Sequence, residues 1–255
     1  MILDMHCHTK EGSPDSHVSL RETISVLKRK GYDGMVVTDH NSYRGYNTLQ
    51  EEIKDFVVLR GVEYDSLDGG HLLIILPSRI KYEIFEYRGI YAEDVVKIVH
   101  ALGGIVGPAH PFDYSSLGIC NTKLKTDLNL LNQFDFIETF NGCLSLRGSL
   151  LSNYLANYLN KPCIGGSDSH SVTKVGLART EIPCDIKNED DLIKAVKEAD
   201  YGSFSACGSF YERKHQRLHT LTTITAGYLG STLNKCLSYN HNKKTMAFFN
   251  ALGIQ

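Results

Sequence analysis

Pro162-Cys163-Ile164-Gly165-Gly166-Ser167-Asp168-Ser169-His170 joins a short apolar run to a carboxylate and an imidazole two residues apart. Alternate positions of an extended segment face the same way, so Asp168 and His170 aim at one point. The two glycines, lacking Cβ atoms, leave room for something to approach the backbone there. An Asp-x-His also occurs in ordinary turns, so the stretch gains weight only if other segments end the same way.

Several do. Residues 2–7 read as an opening strand that ends in His6-Cys7-His8, and Asp33-Gly34-Met35-Val36-Val37-Thr38 as a second that stops at Asp39-His40-Asn41. Between them Ser19, with Glu22 three residues on, forms a capping box and predicts a helix ending near Gly31. A helix over 46–55 leads to a strand over 56–62 that ends at Glu63, and after a turn at Asp68-Gly69-Gly70 a strand runs over 71–76. A helix over 92–102 precedes the strand 104–107 and Pro108-Ala109-His110-Pro111. The strand 135–140 ends at Asn141-Gly142, a helix over 144–159 returns to the opening stretch, and 188–199 is the last periodic helix. Strands of this length alternating with helices indicate a parallel sheet, and seven or so such units fit a closed barrel better than an open sheet. No G-x-G-x-x-G or P-loop pattern follows a strand, which argues against a dinucleotide or P-loop site.

The chain of 255 residues, 42% hydrophobic, can bury a full core. We expect one domain over 1–204 and a basic, helical extension over 205–255. No apolar run approaches the roughly 20 residues that span a bilayer, and residues 1–6 lack the basic and apolar regions of a signal peptide. Seven scattered cysteines with no C-x-x-C pair suit reduced thiols, so a cytoplasmic protein with no membrane association is expected. The net charge of -2 is uneven: 205–255 carries +5 and the first 204 residues -7. An acidic body makes long nucleic acid an unpromising partner. In the extension, Leu218, Leu221, Ile224, Tyr228 and Leu233 follow approximately helical spacing, and Met246, Phe248, Phe249 and Leu252 form a second apolar set. Both sets are expected to pack on the barrel or on a partner subunit, the latter giving a homo-oligomer.

The polar residues fall in a pattern. His6, His8, His40, Glu63, His110, Asp168 and His170 each sit at or just past the C-terminal end of an expected strand. In a (β/α) barrel those ends open onto one face, which carries active sites. Each taken singly has an ordinary reading: His-x-His as a structural pair, Asp39-His40-Asn41 as a turn, Pro108-Ala109-His110-Pro111 as a rigid turn. Glu63 alone reads as a solvated strand end, and His71 begins a strand. Together they imply a multinuclear metal site, because His, Asp and Glu ligate zinc, manganese and iron with no thiolate required.

In that order, His6-Cys7-His8, Thr38-Asp39-His40-Asn41, Gly61-Val62-Glu63, Pro108-Ala109-His110-Pro111 and Gly165-Gly166-Ser167-Asp168-Ser169-His170 resemble the successive motifs of the PHP family. That family is named for its polymerase and histidinol phosphatase members, and the resemblance covers about residues 1–200. It implies a distorted (β/α)7 TIM-like barrel, two or three divalent metal ions (Mn, Zn or Fe) and phosphoester hydrolysis. It also implies a ligand partition. His6, His8, Glu63 and Asp168 would surround a first metal. Glu63 would bridge to a second, held also by His71 and His110. Asp15, His40 and His170 would hold a third, with His17 competing for the place of Asp15. Glu63, Asp168 and His40 are the expected catalytic residues. Some members carry an insertion that covers the site between the glutamate and the later histidine motifs. Here those separations are short, which implies a more open site.

Elementary chemistry agrees, since two metals roughly 3.5–4 Å apart can share a hydroxide and clamp phosphoryl oxygens. Arg147, after the strand end at Asn141, and Arg179, after His170, are candidates for phosphate contacts; either could equally form a surface ion pair. The expectation is a phosphoesterase acting on a small phosphorylated metabolite or nucleotide. One alternative is hydrolysis of a non-phosphate substrate by the same hydroxide. The other is a metal-stabilised binding module, against which the full ligand set argues, because a structural site needs only one closed shell.

Overall fold

The computed structural model describes residues 1–114 and 117–211, and opens with β1 (Ile2–Cys7), whose last five residues are buried. A strand buried on both faces belongs inside a covered sheet, and here the burial includes two polar residues, Asp4 and His6. β1 pairs in parallel with β2 (Gly34–Val37), and β2 in parallel with β3 (Val57–Ser66). The parallel pattern then stops. β4 (Gly70–Ile75) returns antiparallel on β3, and β5 (Ile105–Pro108) antiparallel on β4. The cause is the turn between Ser66 and Gly70, where Gly70 adopts φ 72° and the Ser66 hydroxyl donates to the Gly70 carbonyl at 2.7 Å. A parallel return needs a crossover of a dozen residues or more. The uniform strand–helix alternation expected from the sequence is therefore corrected to a mixed sheet.

β6 (Ile137–Asn141) and β7 (Cys163–Gly166) form a separate parallel pair that fills the gap between β5 and β1. On one side the Asp135 N–H donates to the Val106 carbonyl at 2.8 Å; on the other the Asp168 N–H donates to the His6 carbonyl at 2.8 Å. β8 (Ala178–Glu181) pairs antiparallel with Ile2 and Leu3, and β9 (Ser205–Gly208), just past residue 204, pairs with β8. The free edge of β1 is thus divided: its first residues bond β8, and its last meet the segment that follows β7. The architecture is α/β and barrel-like, with seven strands in the main sheet in the order β5-β4-β3-β2-β1-β8-β9.

A β-bulge between Asp4 and Cys7 decides what β1 presents. It shifts the in-out alternation by one. Leu3 and Met5 therefore pack with Leu59, Leu73, Phe136 and Ile164, while His6 and His8 face inward one layer further along. α6 (Glu189–Lys197) sends Leu192, Ile193 and Val196 into the same apolar cluster and closes that end. The opposite end is left to the polar residues.

The remaining helices cover the outside. α1 (Leu20–Arg29) carries the expected capping box: the Glu22 N–H donates to Ser19 Oγ at 3.3 Å and the Ser19 N–H to Glu22 Oε2 at 2.9 Å. Ser19→Ala should cost about 1 kcal/mol and lower the melting temperature by roughly 2–4 °C in a calorimetric scan, as expected for a domain of this size. α2 is only Arg44–Asn47, where the sequence predicts a helix over 46–55. The Thr48 hydroxyl donates to the Gly45 carbonyl at 2.7 Å and Asp55 takes φ 56°, while Leu49 and Ile53 pack, half-buried, against the core from irregular backbone. α3 (Ala92–Ala101), α4 (Leu128–Gln133) and α5 (Leu146–Leu159) complete the set. Among the described residues no helix is long and apolar enough to cross a membrane. The apolar sets at 218–233 and 246–252 lie outside the described residues.

Candidate metal centre

Each strand delivers its polar residue to the open end by a local device. β1 brings His6 through its bulge, and His8 just beyond it. Among the described residues, three of the five non-glycine residues with positive φ lie at this end: Asn41 (48°), His110 (29°) and Asp168 (50°). L-residues enter that region at a cost, and such residues cluster where a site demands a particular aim. At Asp168 the turn directs the carboxylate back over β1, since its own N–H is bonded to the His6 carbonyl.

Glu63 is the hub. Its Oε1 lies 2.9 Å from His71 Nδ1, 3.0 Å from His110 Nε2 and 3.4 Å from His6 Nε2. Its Oε2 lies 2.9 Å from His40 Nδ1 and 3.3 Å from His8 Nε2. Asp168 Oδ1 stands 3.2 Å from His8 Nε2 and 3.5 Å from His170 Nδ1. Asp15 Oδ2 is 3.1 Å from His170 Nε2 and 3.4 Å from His40 Nε2, whereas His17 is exposed and donates its backbone N–H to the His170 carbonyl at 2.9 Å. All nine residues expected to bind metal are brought together. His6, His8 and Glu63 are fully buried; Asp15 is 55% exposed, and His40 and His170 about a fifth, so one rim faces solvent.

The donor set fits divalent cations. Glu63 Oε2 is buried without a hydrogen-bond partner. His6 Nε2 and His8 Nε2 face each other at 3.1 Å, and His170 Nε2 and His40 Nε2 at 3.4 Å, where two neutral imidazoles would bring lone pairs together unless one nitrogen donated. The His8 ring stacks between His40 and His170, at 4.4 and 4.2 Å. Three triplets, His6/His8/Glu63, His40/Glu63/His71 and His8/His40/His170, each place their donor atoms within 4.8 Å of one another. These triplets share His8 and His40, so they cut across the partition the resemblance implies. Burial would raise the Glu63 carboxyl, but His71, His6 and His40 hold it well below the usual carboxylate range. Asp168 is likewise held low against its burial, by His6, His8 and His170. Both are anions, ready for cations.

Sequence reasoning passed over the residues that brace this cluster. Glu138, fully buried in β6, takes His6 Nδ1 on its Oε1 at 2.9 Å, while its Oε2 accepts the His110 N–H at 2.5 Å and Asn141 Nδ2 at 3.2 Å. Asn141 Nδ2 also donates to Asp168 Oδ2 at 3.3 Å. A carboxylate in the apolar run Phe136-Ile137-Glu138-Thr139-Phe140 was the available signal, because a buried strand seldom carries one unpaired. Asp39 accepts the Thr9 N–H at 2.6 Å and the Thr9 and Ser13 hydroxyls at 2.8 and 2.9 Å, which shapes the loop that carries Asp15. Glu138→Gln leaves one acceptor where two are needed. Divalent-metal affinity should fall about 10–100-fold, the usual loss when a group that orients a ligand is removed; titration calorimetry on metal-free protein reads it.

Arg147 lies exposed in the first turn of α5. Arg179 Nε pairs with Glu181 Oε1 at 2.9 Å and lines a surface cavity of about 380 Å³ with Tyr32, Leu177 and Cys207, none of them in the cluster.

A family model described as PHP-associated matches residues 150–201. An uncharacterized protein of Methanocaldococcus jannaschii is 26% identical over 152 residues, 55% of this chain and 82% of that protein. Among solved structures, PsfC from Pseudomonas syringae superposes with a TM-score of 0.61 at 18% identity, over 91% of this chain and 97% of that one. A Bacteroides vulgatus two-domain protein containing a predicted PHP-like metal-dependent phosphoesterase reaches 0.56 at 18%, over 82% and 65%. The lesion-specific endonuclease PfuEndoQ from Pyrococcus furiosus reaches 0.57 at 16%, over 88% and 66%. Over residues 150–201 the chain is thus similar to the PHP-associated model, and it shares its barrel-like fold with a structure containing a predicted PHP-like phosphoesterase and with PfuEndoQ.

Proposed function

We propose that the protein is a metal-dependent phosphoester hydrolase acting on a small phosphorylated metabolite or nucleotide. The observation that carries this reading is Glu63, whose Oε1 lies against His71 and His110 while its Oε2, 2.9 Å from His40 Nδ1, is buried with no hydrogen bond. A carboxylate so placed would serve as a ligand on both sides, and two divalent cations held there would support in-line displacement at phosphorus. Bound Mn, Zn or Fe would supply an activated water and neutralise phosphoryl charge. The chain's own residues do the rest. His6 and His8 anchor the buried side, with Glu138 fixing the orientation of His6. His71 and His110 hold the Glu63 Oε1 side. Asp15, His40 and His170 form the accessible rim from which a substrate enters, within reach of a leaving oxygen. The excess of acidic residues over 1–204 favours a small substrate over a long nucleic acid, whose backbone it would repel.

Metal analysis combined with a panel of phosphomonoesters, phosphodiesters, lactones and a lesion-bearing DNA duplex tests the reading. Hydrolysis of a small phosphoester by metal-replete protein is expected. Cleavage of the duplex alone would move the substrate to nucleic acid, and lactone turnover unaffected by millimolar phosphate would move it away from phosphorus. Asp168→Asn and His170→Ala should remove different ions, since Asp168 faces His6 and His8 while His170 faces Asp15 and His40. Equal loss of the same ion from both variants would reject that division.

A further inference from the structure

α5 is built inside out. The residues it buries are mostly small, Gly148, Ser149, Ser152 and Ala156, with Leu159 at the end. Its large apolar side chains point to solvent: Leu146, Leu150, Tyr154 and Tyr158 are 61, 62, 70 and 62% exposed, and Leu151 adds 38%. These are five of the twelve exposed large apolar side chains among the described residues. Leu146, Leu150, Tyr154 and Tyr158 follow at intervals of four, so they form one ridge of the kind that packs into the groove of a second helix. Arg147 is the sole charged residue of this helix. A solvated helix carries charge on its outer face, and a contiguous apolar one marks a contact surface.

The described chain stops beside this ridge. The Tyr211 N–H donates to the Gly142 carbonyl at 3.0 Å, and the Phe210 ring stacks on Phe140 at 4.7 Å. Both lie within a few residues of Leu146, where α5 begins. Forty-four residues follow Tyr211. The ridge from Leu146 to Tyr158 is about 18 Å long at 1.5 Å per residue, and about six extended residues already span that length. Leu218, Leu221, Ile224 and Tyr228 recur at intervals of three and four, the complementary pattern for packing on a ridge.

We propose that the exposed apolar face of α5 is the seat of residues 212–255 of the same chain, through the apolar set 218–228. It holds whatever ester the site hydrolyses, and so stands or falls separately from the catalytic reading. The test uses the full chain with the photoreactive p-benzoylphenylalanine in place of Tyr154, in an equal mixture of heavy-nitrogen-labelled and unlabelled protein. Adducts are expected between position 154 and peptides of 212–255, each isotopically uniform and hence intramolecular. Isotopically mixed adducts would make the occupant a second copy, and adducts confined to residues before 212 would leave the tail elsewhere; either result overturns the proposal. In parallel, Leu150→Glu with Tyr154→Glu should accelerate tryptic cleavage at Lys235, Lys243 and Lys244 about ten-fold or more, because cleavage follows the population of the undocked segment. An unchanged rate, with metal content retained, would count equally against it.

Discussion

Glu63→Gln is expected to abolish the metal centre as a unit. In the native cluster the carboxylate neutralises a cage of five buried or half-buried imidazoles and offers an oxygen to each side. An amide keeps the volume but supplies one acceptor and turns two N–H donors toward nitrogen donors. Loss of a group that merely orients a ligand costs about 10–100-fold; loss of the shared ligand should exceed it, with phosphoester turnover falling by at least about three orders of magnitude. Two metal ions per chain should be missing in elemental analysis, against one for a terminal ligand such as His170. A variant that keeps its full complement and turns over at the native rate would show that Glu63 does not bridge.

Gly166→Ala should be nearly as damaging, and through the backbone. A methyl group at position 166 would lie 2.5 Å from the His6 nitrogen and 2.8 Å from its Cα. Neither atom can yield, because β1 is held by β2 on its other edge and its bulge sets the aim of His6. Overpacking of this kind costs typically about 1–3 kcal/mol and more where backbone is struck. A lowered melting temperature together with weakened metal binding is expected; a stable variant with native metal affinity would show that β1 moves freely. Gly165 meets the Arg179 carbonyl in the same way, at 2.6 Å. The room that the glycines of the opening stretch leave is taken by neighbouring strands of this protein.

The strand ends were readable because a barrel sends ligands to one face, and His6, His8, His40, His110, Asp168 and His170 all lie at or just past strand ends; their aim is set by the β1 bulge and by the positive φ at His110 and Asp168, which alternation does not foretell. Glu63 was named correctly but stands inside β3, three residues before its end, as β3 continues into the hairpin. The antiparallel return of β4 was signalled by Asp68-Gly69-Gly70, a turn too short for a helix, yet the expectation of uniform alternation overrode it. The bulge in β1 has no signature of its own, since Leu3, Met5, His6 and His8 fit an unbroken alternation nearly as well. Glu138 was missed because its partners, His6 and the His110 backbone, are 132 and 28 residues away. The face of α5 was illegible for a different reason. Its sequence carries leucine or tyrosine on nearly every side, so periodicity does not say which side is buried.

The divided edge of β1 has a consequence for folding. The strand that begins the chain is completed by residues 34–37, 163–169 and 178–181. Contacts of such sequence separation form late, after the loop entropy of most of the domain has been spent. Until those later segments are in place, His6 and His8 sit on an unpaired edge, so the ligands carried by β1 are completed only when segments far along the chain join it.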